Sequence, residues 1–378
     1  MATVFDYLKW RGDLSFSRSP FNIVDAAILS KCSYLHFLEA AGPVPEDSAV
    51  PLPRIRDILF SDGSDHTLGL VIPPQIFDLF DLAASTKRFS AVRIFDMEDI
   101  LDREKEIQFS AMTFELSSSL CVVTFRGTDD SIVGWKEDFN MAFEKSIPSQ
   151  KLAAAYLHRI LCTHPGNVIL TGHSKGGNLA IFAAASCNAE ERERIQTVYN
   201  FDGPGFKPDF LESEGYLSIV SRIRTAVPES SIIGCLFEQL GEKIYVVSSV
   251  KGGLRQHNLL TWQVIGPEFE TVPTRSRDSI QMEKAIKAWT ADMSEQETED
   301  FVNTVFSLPA AASVTNLKDL SRIPNAGFKM IQAPTPEQRK ILLDGFRKLI
   351  AELYTAHFQK QPKPDPPAKR TARRKNGG

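Results

Sequence analysis

One segment, VILTGHSKGGNLAIFAAA at residues 168–185, constrains the fold of this 378-residue chain more than any other. Its apolar first part is typical of a buried strand that ends at Gly172, and its second part is typical of a helix that begins just after Ser174. A serine between glycines at a strand-to-helix turn is the pattern of a nucleophile elbow, in which the glycines relieve crowding and the hydroxyl stays exposed. The helix N-terminus also favours negative charge there. The segment therefore predicts Ser174 as a catalytic nucleophile.

Strand and helix patterns alternate on both sides of this segment. Residues 107–116 and 118–125 are predicted to form an antiparallel hairpin whose second strand is nearly all apolar and buried. After Ser174, strands are predicted at 197–203, 221–227 and 242–250, with a helix at 231–240. Such alternation is typical of a mainly parallel, doubly wound sheet with helices on both faces. The fold class predicted is α/β.

The chain is predicted to have three parts. Residues 1–272 form the α/β domain, including an N-terminal helix at about 22–40, and residues 359–378 form a disordered basic tail. Between them, residues 273–358 form a helical extension, in which Ser294 and Glu297 match a capping box. This extension is either scaffold or a lid over the site. Its last helix, residues 334–358, is predicted to place one apolar face on the rest of the protein: Ile341, Leu342, Phe346, Leu349, Ile350 and Leu353.

Charge is distributed unevenly along the chain. The tail at 359–378 carries seven Lys or Arg residues and one Asp, so the net charge of −4 leaves about −10 on residues 1–358. A domain this acidic is a poor nucleic-acid binder, and no specific nucleic-acid partner is expected. The Pro, Lys and Gly content of the tail favours a disordered, solubilising terminus. A weak contact between the tail and anionic membrane is the alternative.

Cysteine usage and hydropathy indicate a soluble, cytoplasmic protein. No apolar run approaches the roughly 20 residues that span a bilayer, and the N-terminus lacks the pattern of a secretory signal. The five cysteines are odd in number and widely spaced, which favours reduced, buried thiols over disulfides or a metal site. We expect neither a metal nor an organic cofactor.

A serine hydroxyl needs a histidine within hydrogen-bond reach to act as a nucleophile. In a fold of this kind the base follows the nucleophile and the acid along the chain, and only His257 and His357 lie downstream of the elbow. His357 falls on the apolar face of the last predicted helix, where a structural role is expected. His257 lies in a glycine-containing loop after the strand at 242–250, so the sequence favours His257 as the base.

The acid that orients this histidine has two main candidates. Asp202 ends the strand at 197–203 directly before a Gly-Pro-Gly turn, so that its carboxylate projects from the sheet edge that carries the serine. Glu229 follows the next strand and is the alternative. An aspartate at a strand end is also an ordinary turn former. We rank Asp202 first and keep both open.

An oxyanion hole needs two fixed hydrogen-bond donors. The first is expected to be the backbone N–H of Lys175, the residue after the nucleophile. The second is expected in the loop after the strand at 118–125, where Gly127 and Thr128 follow, and Thr128 offers its hydroxyl as well as its amide. The alternative is that this loop is a simple turn at the end of the strand, without a catalytic role.

Two motifs together resemble the class 3 lipases: FRGTDDSIVGWKEDF at 125–139 is similar to their oxyanion loop with its Trp and Asp, and TGHSKGG at 171–177 is similar to their elbow. The longer series FRGT, GHSKGG, YNFDGPGF, VPESSIIG and QHNLLTW is more closely similar to a bacterial lipase-like family known mainly as a domain of unknown function. The resemblance covers about residues 1–270.

This resemblance implies an α/β-hydrolase fold with Ser174 as nucleophile, His257 as base, and Thr128 and Lys175 at the oxyanion hole. It also implies that Trp135 and Asp138 support the oxyanion loop. There is one departure from the class 3 pattern, because Ser231 stands where the family's acid would be. Either the acid has moved to the preceding strand, which favours Asp202, or it is missing.

Two functions remain open from the sequence. The first is hydrolysis of a carboxylic ester, lipid or acyl substrate through an acyl-serine intermediate, with a small-molecule ester as the partner. The second is a catalytically impaired hydrolase-fold protein that binds a small molecule or another protein. They differ in whether a carboxylate reaches His257.

Overall fold

The protein is described by a computed structural model for residues 1–37, 49–61 and 68–358. Its centre is a sheet with the strand order β1-β2-β3-β4-β5-β6-β7-β8-β11. The five neighbours β4 to β8 run parallel, whereas β1 to β4 and the β8–β11 pair are antiparallel. The strands are β1 (Val50–Pro51), β2 (Arg93–Asp102), β3 (Ile107–Ser117), β4 (Leu120–Phe125), β5 (Asn167–His173), β6 (Ile195–Phe201), β7 (Ile223–Pro228), β8 (Glu242–Val246), β9 (Val264–Ile265), β10 (Glu268–Phe269) and β11 (Thr271–Val272).

Helices cover both faces of the sheet, so the α/β class expected from the sequence is confirmed. In chain order they are α1 (Val4–Arg11), α2 (Ile23–Cys32), α3 (Leu52–Leu59), α4 (Gln75–Ser85), α5 (Ile132–Asn140), α6 (Pro148–Thr163), α7 (Lys175–Ser186), α8 (Ala189–Glu193), α9 (Pro208–Leu211), α10 (Glu214–Ile219), α11 (Gly253–Gln256), α12 (Arg277–Ala291), α13 (Glu295–Ala311), α14 (Asp319–Arg322), α15 (Ala326–Gln332) and α16 (Pro336–Phe358).

Each face of the sheet has its own apolar core. Successive side chains of a strand point to opposite faces, and the β-branched run in β4 fills both cores in this way. Val122 packs with α1, α2 and α4, whereas Val123 packs with α6 and α7. The small side chains of α7 bring this helix close to α6 and to the sheet. The sheet is thus buried on both faces, as expected for parallel strands.

Most of the predicted helices and strands are present, but one strand was missed and one predicted helix does not form. The hairpin β3–β4, the strands β5 to β8 and the helix α7 lie where the sequence indicated. The strand β2 was not predicted, because its four acidic residues are unusual in a strand, and pairing with β3 nevertheless makes it one. The helix predicted at 231–240 is wrong, since only a short 3₁₀ turn, Ile233–Cys235, forms there. The backbone beyond that turn bonds instead to the loop after β6, with Gly205 N–H donating to Leu236 O at 2.7 Å.

The extension after residue 272 consists of helices, as expected, and its predicted capping box is confirmed. Ser294 accepts from the Glu297 N–H, and the Glu297 carboxylate accepts from the Ser294 N–H at 2.9 Å. The apolar face predicted for α16 is only partly correct, because Phe346 is 47% exposed and Ile350 is 65% exposed. The helix instead presents Gly345 to Phe301.

Some predicted segments fall outside the described residues, namely the tail at 359–378 and part of the N-terminal helix and the loop after it. Within the described ranges, α2 covers only Ile23–Cys32 of the helix expected at 22–40. None of the described helices is long and apolar enough to cross a membrane. The five cysteines are free thiols, and only Cys162 is exposed.

Candidate active site

Ser174 lies at the sharp turn between β5 and α7. β5 ends at His173, α7 begins at Lys175, and Ser174 between them has a φ of 59° and a ψ of −134°. A positive φ is strained for a residue with a side chain, and such strain is found where the surrounding structure enforces a functional conformation. The Ser174 N–H donates to Phe201 O at 2.9 Å, which fixes the turn against the end of β6.

The glycines around Ser174 are required by close backbone contacts. A Cβ atom on Gly172 would lie 2.1 Å from the Gly176 carbonyl oxygen, and a Cβ on Gly176 would lie 2.0 Å from the Phe125 carbonyl oxygen. Both distances are impossible for real atoms. The G-x-S-x-G pattern is therefore explained by the packing of β5, α7 and the end of β4, as a nucleophile elbow requires.

Asp202 and His257 meet at the same edge of the sheet. Asp202 directly follows β6, is fully buried, and accepts a hydrogen bond from His257 Nδ1 at 2.6 Å. Because a carboxylate only accepts, this contact leaves Nε2 of the neutral imidazole without a proton. Glu229, the alternative acid, lies one strand away and its N–H donates to Val246 O. Of the two candidates, the structure therefore brings Asp202 to His257.

Two further donors hold the Asp202 carboxylate. The Ser231 hydroxyl donates to Oδ1, and the Gly234 N–H donates to the same oxygen at 3.1 Å. Ser231 is the residue that stands at the acid position of the class 3 pattern. The Ser231 hydroxyl thus holds a carboxylate that comes from the neighbouring strand.

His173 connects the elbow to the loop of His257, a role that the sequence analysis missed. Its Nε2 lies 2.7 Å from His257 O, so Nε2 carries the proton, and Nδ1 accepts from the Tyr34 hydroxyl at 2.9 Å. Burial lowers the pKa of His173 well below its usual range, which keeps the ring neutral. The two imidazole rings lie 4.5 Å apart. The only sequence signal was the position of His173 beside the nucleophile.

The loop after β4, which the sequence predicts to form the oxyanion hole, is held by α5. The Thr128 hydroxyl donates to Asp138 Oδ2 at 2.5 Å, and the Trp135 indole N–H donates to Asp129 O at 3.1 Å. Burial raises the pKa of Asp138 to about 6, although the nearby Lys175 ammonium opposes this. Trp135 and Asp138 therefore support the loop as the resemblance implied. Within the described residues, the backbone N–H groups of Thr128 and Lys175 have no hydrogen-bond acceptor.

The side chain of Lys175 does not enter the site but runs beneath it. Its ammonium donates to Gln108 O at 2.7 Å, to Gln108 Oε1 at 2.8 Å and to Glu137 Oε2 at 3.0 Å, and both charged groups are buried. Glu137 also accepts from the Ser149 N–H at 2.8 Å. This ion pair joins α7 to α5, and so joins the elbow to the helix that carries the oxyanion loop.

Ser174, His257, Thr128 and Lys175 line one cavity of about 530 Å³. This volume suits a small organic ligand. Most of the other lining residues are apolar. Those from α5 and its C-cap, from the segment after β7 and from α12 include Trp135, Phe139, Met141, Ile233, Leu236, Phe237, Ile286 and Trp289. The C-terminal extension therefore forms part of the cavity wall.

These features define an α/β-hydrolase: a mainly parallel sheet, an elbow after β5, and a histidine after the last parallel strand. The chain belongs to the Mbeg1-like family, because the sequence model of that family matches residues 83–307, more than half of the chain. No curated protein sequence matches it.

Among solved structures, the chain is similar at low identity to three structures of lipases. The Rhizomucor miehei lipase propeptide complex has 18% identity and a TM-score of 0.38, and the match covers 68% of this chain and 75% of that one. A fungal lipase–inhibitor complex, described as a model for interfacial activation, has 18% identity and a TM-score of 0.37 over 66% and 88% of the two chains. Lipase II from Rhizopus niveus has 16% identity and a TM-score of 0.34 over 72% and 89%.

Proposed function

We propose that this protein is a serine hydrolase that cleaves carboxylic esters through an acyl-serine intermediate. The observation that carries the proposal is the hydrogen bond between Asp202 and His257 beside a cavity that Ser174 also lines. A carboxylate on Nδ1 fixes the tautomer and leaves Nε2 free to accept the proton of the serine hydroxyl.

The proposed reaction has two halves. Ser174 Oγ attacks the ester carbonyl while His257 Nε2 takes the hydroxyl proton, and Asp202 stabilises the imidazolium. The oxyanion accepts hydrogen bonds from the backbone N–H groups of Lys175 and Thr128. The intermediate then releases the alcohol, which receives the proton from His257. A water molecule, activated by the same histidine, releases the acid and regenerates the serine.

The cavity indicates the general class of substrate. Its apolar wall favours an acyl or lipid group, because burial of apolar surface contributes about 25 cal/mol per Å². Its volume of about 530 Å³ accommodates a small molecule. We therefore infer a small acyl or lipid ester as the substrate, without a metal or organic cofactor.

Labelling with a fluorophosphonate probe tests the proposal. We expect the wild type to be labelled on Ser174, as identified by mass spectrometry of the peptide, and Ser174→Ala and His257→Ala to lose the label. His158→Ala is the matched control, because His158 also pairs with a carboxylate, Glu191, but outside the cavity. That variant should be labelled like the wild type. Absence of label from folded wild-type protein would favour the alternative, a protein that binds a ligand without catalysis.

A further inference from the structure

Lys31 is a buried lysine in the wall of the same cavity. It lies near the end of α2, its side chain is 3% exposed, and it lines the cavity together with Tyr34 and Ile72. Its ammonium lies 4.3 Å from the centre of the Tyr34 ring. The proposed ester hydrolysis makes no use of this group.

The other two lysines of the cavity wall are paired with carboxylates. Lys175 binds Glu137 at 3.0 Å, and Lys287 binds Glu283 at 2.8 Å and also Glu238. For Lys31, the described part of the chain provides no carboxylate and no hydrogen-bond acceptor. The contact with the Tyr34 ring is a cation–π interaction, which compensates only partly for the loss of water.

An ammonium group buried without an opposite charge is costly, because its hydration is lost and nothing replaces it. Burial accordingly lowers the pKa of Lys31 to about 7. An anion that entered the cavity would supply the missing charge and hold the proton on Lys31. The cavity thus has a cationic group in a mostly apolar wall, which is the arrangement that selects a ligand with one charged end.

We propose that Lys31 is an anion subsite and that the natural substrate carries a carboxylate or phosphate group in addition to its ester. This inference rests on the proposed ester hydrolysis, whose substrate class it narrows. The anion lies on either the acyl part or the alcohol part of the substrate, and the two cases are separated by the choice of probe.

Paired substrates test the proposal. For the acyl part, the probes are 4-nitrophenyl monoesters of succinic, glutaric, adipic and suberic acids, each compared with the derivative whose free carboxylate is capped as an amide. For the alcohol part, 1-butyrylglycerol 3-phosphate is compared with 1-butyrylglycerol. We expect kcat/KM for the anionic member of at least one pair to exceed that of its neutral partner about tenfold or more. In Lys31→Met this ratio should fall to about one.

Lys287→Met is the matched control, because it removes a cavity lysine whose charge is already balanced. Its anionic-to-neutral ratio should stay within about threefold of the wild-type value. Lys31→Gln provides a second uncharged variant if Lys31→Met does not fold. A wild-type ratio near one for every pair would overturn the anion subsite, as would a high ratio that survives in both Lys31 variants.

Binding to Ser174→Ala separates this inference from the proposed function. The probes are the free dicarboxylates from succinate to suberate and inorganic phosphate, measured by calorimetry with and without Lys31→Met. Binding that depends on Lys31, together with a wild-type protein that hydrolyses no ester, would support the subsite and contradict the hydrolase. Ester hydrolysis with neither a Lys31-dependent ratio nor Lys31-dependent binding would support the hydrolase and contradict the subsite.

Discussion

Asp202 is the carboxylate that the proposed mechanism requires on His257. We expect Asp202→Asn to lower kcat for an activated ester by roughly 10²- to 10⁴-fold, because an amide favours the wrong tautomer of His257. Glu229→Gln is the matched control, since Asp202 holds the Nδ1 contact, and its kcat should stay within about threefold of wild type. The measurement is steady-state hydrolysis of 4-nitrophenyl butyrate. Equal activity of both variants would mean that neither carboxylate acts as the acid.

Asp138 links stability to the proposed oxyanion hole. Burial raises the pKa of Asp138 to about 6, whereas the pKa of an unfolded Asp is about 4. Between about pH 4 and pH 6 the folded state therefore binds more protons than the unfolded state. Ionised Asp138 therefore lowers stability as the pH rises through about 6. We expect Asp138→Asn to raise Tm at pH 7, and this gain to disappear near pH 4. Thermal unfolding at both pH values is the measurement, and a difference that does not change with pH would contradict it.

We also expect Asp138→Asn to reduce the esterase activity. The Thr128 hydroxyl donates to the Asp138 carboxylate. The neutral amide of an asparagine accepts this hydrogen bond less strongly, so it holds the loop of Thr128 less firmly. We expect kcat of Asp138→Asn to fall about tenfold or more at pH 7. A stabilised but slower variant is the usual result when a strained or charged group is kept for catalysis.

At the scale of elements, the Lys175–Glu137 ion pair joins α7 to α5. Removal of one partner leaves a buried charge without compensation, which costs on the order of 3–5 kcal/mol. We expect Lys175→Met and Glu137→Gln each to destabilise strongly, and the double variant to lose much less than the two losses combined. Urea unfolding measures this coupling. The exposed pair of Lys348 and Glu297 provides the control, for which additive effects are expected.

The helix α12 connects the C-terminal extension to the site. Lys287 on this helix binds Glu238 in the segment after β7, and the Ser279 hydroxyl donates to Ser231 O. Ser231 is itself a donor to Asp202. The extension therefore contacts Ser231, which holds the proposed acid, and also forms part of the cavity wall.

At the scale of the whole molecule, the basic tail at 359–378 follows a helix with exposed apolar residues. On α16, Leu343 is 55% exposed and Ile350 is 65% exposed, and the tail after it has a net charge of about +6. A helix with apolar and basic groups binds weakly to anionic lipid, with about 1 kcal/mol from each basic residue near the surface. We therefore propose a weak contact with anionic membrane.

Vesicle sedimentation tests this contact. We expect the full chain to bind vesicles that contain phosphatidylserine, to bind less at high salt, and to bind neutral phosphatidylcholine vesicles weakly. Deletion of residues 359–378 should reduce binding to the anionic vesicles to the neutral level. Unchanged binding after the deletion would assign the contact to another surface or exclude it.

The elements whose signal is local could be predicted from the order of the amino acids alone. The elbow is an example, because the glycines around Ser174 and the apolar β5 before it are adjacent in the chain and force the same turn in any compact α/β fold. The hairpin β3–β4 and the capping box at Ser294 are determined in the same way. By contrast, β2 and the false helix at 231–240 depended on backbone partners far away in the chain, which no local pattern reveals.

The tertiary structure decided which distant groups meet. The sequence ranked Asp202 ahead of Glu229 but left both carboxylates open, and the packing of β6, β7 and the loop of His257 brings Asp202 to the imidazole. The same packing gave His173 its carbonyl partner, and among the residues that the structure describes it brings no counter-charge to Lys31. The physical reason is that a hydrogen bond or an ion pair acts over a few ångströms, whereas the positions that it joins are 55 residues apart for Asp202 and His257 and 84 for His173 and His257.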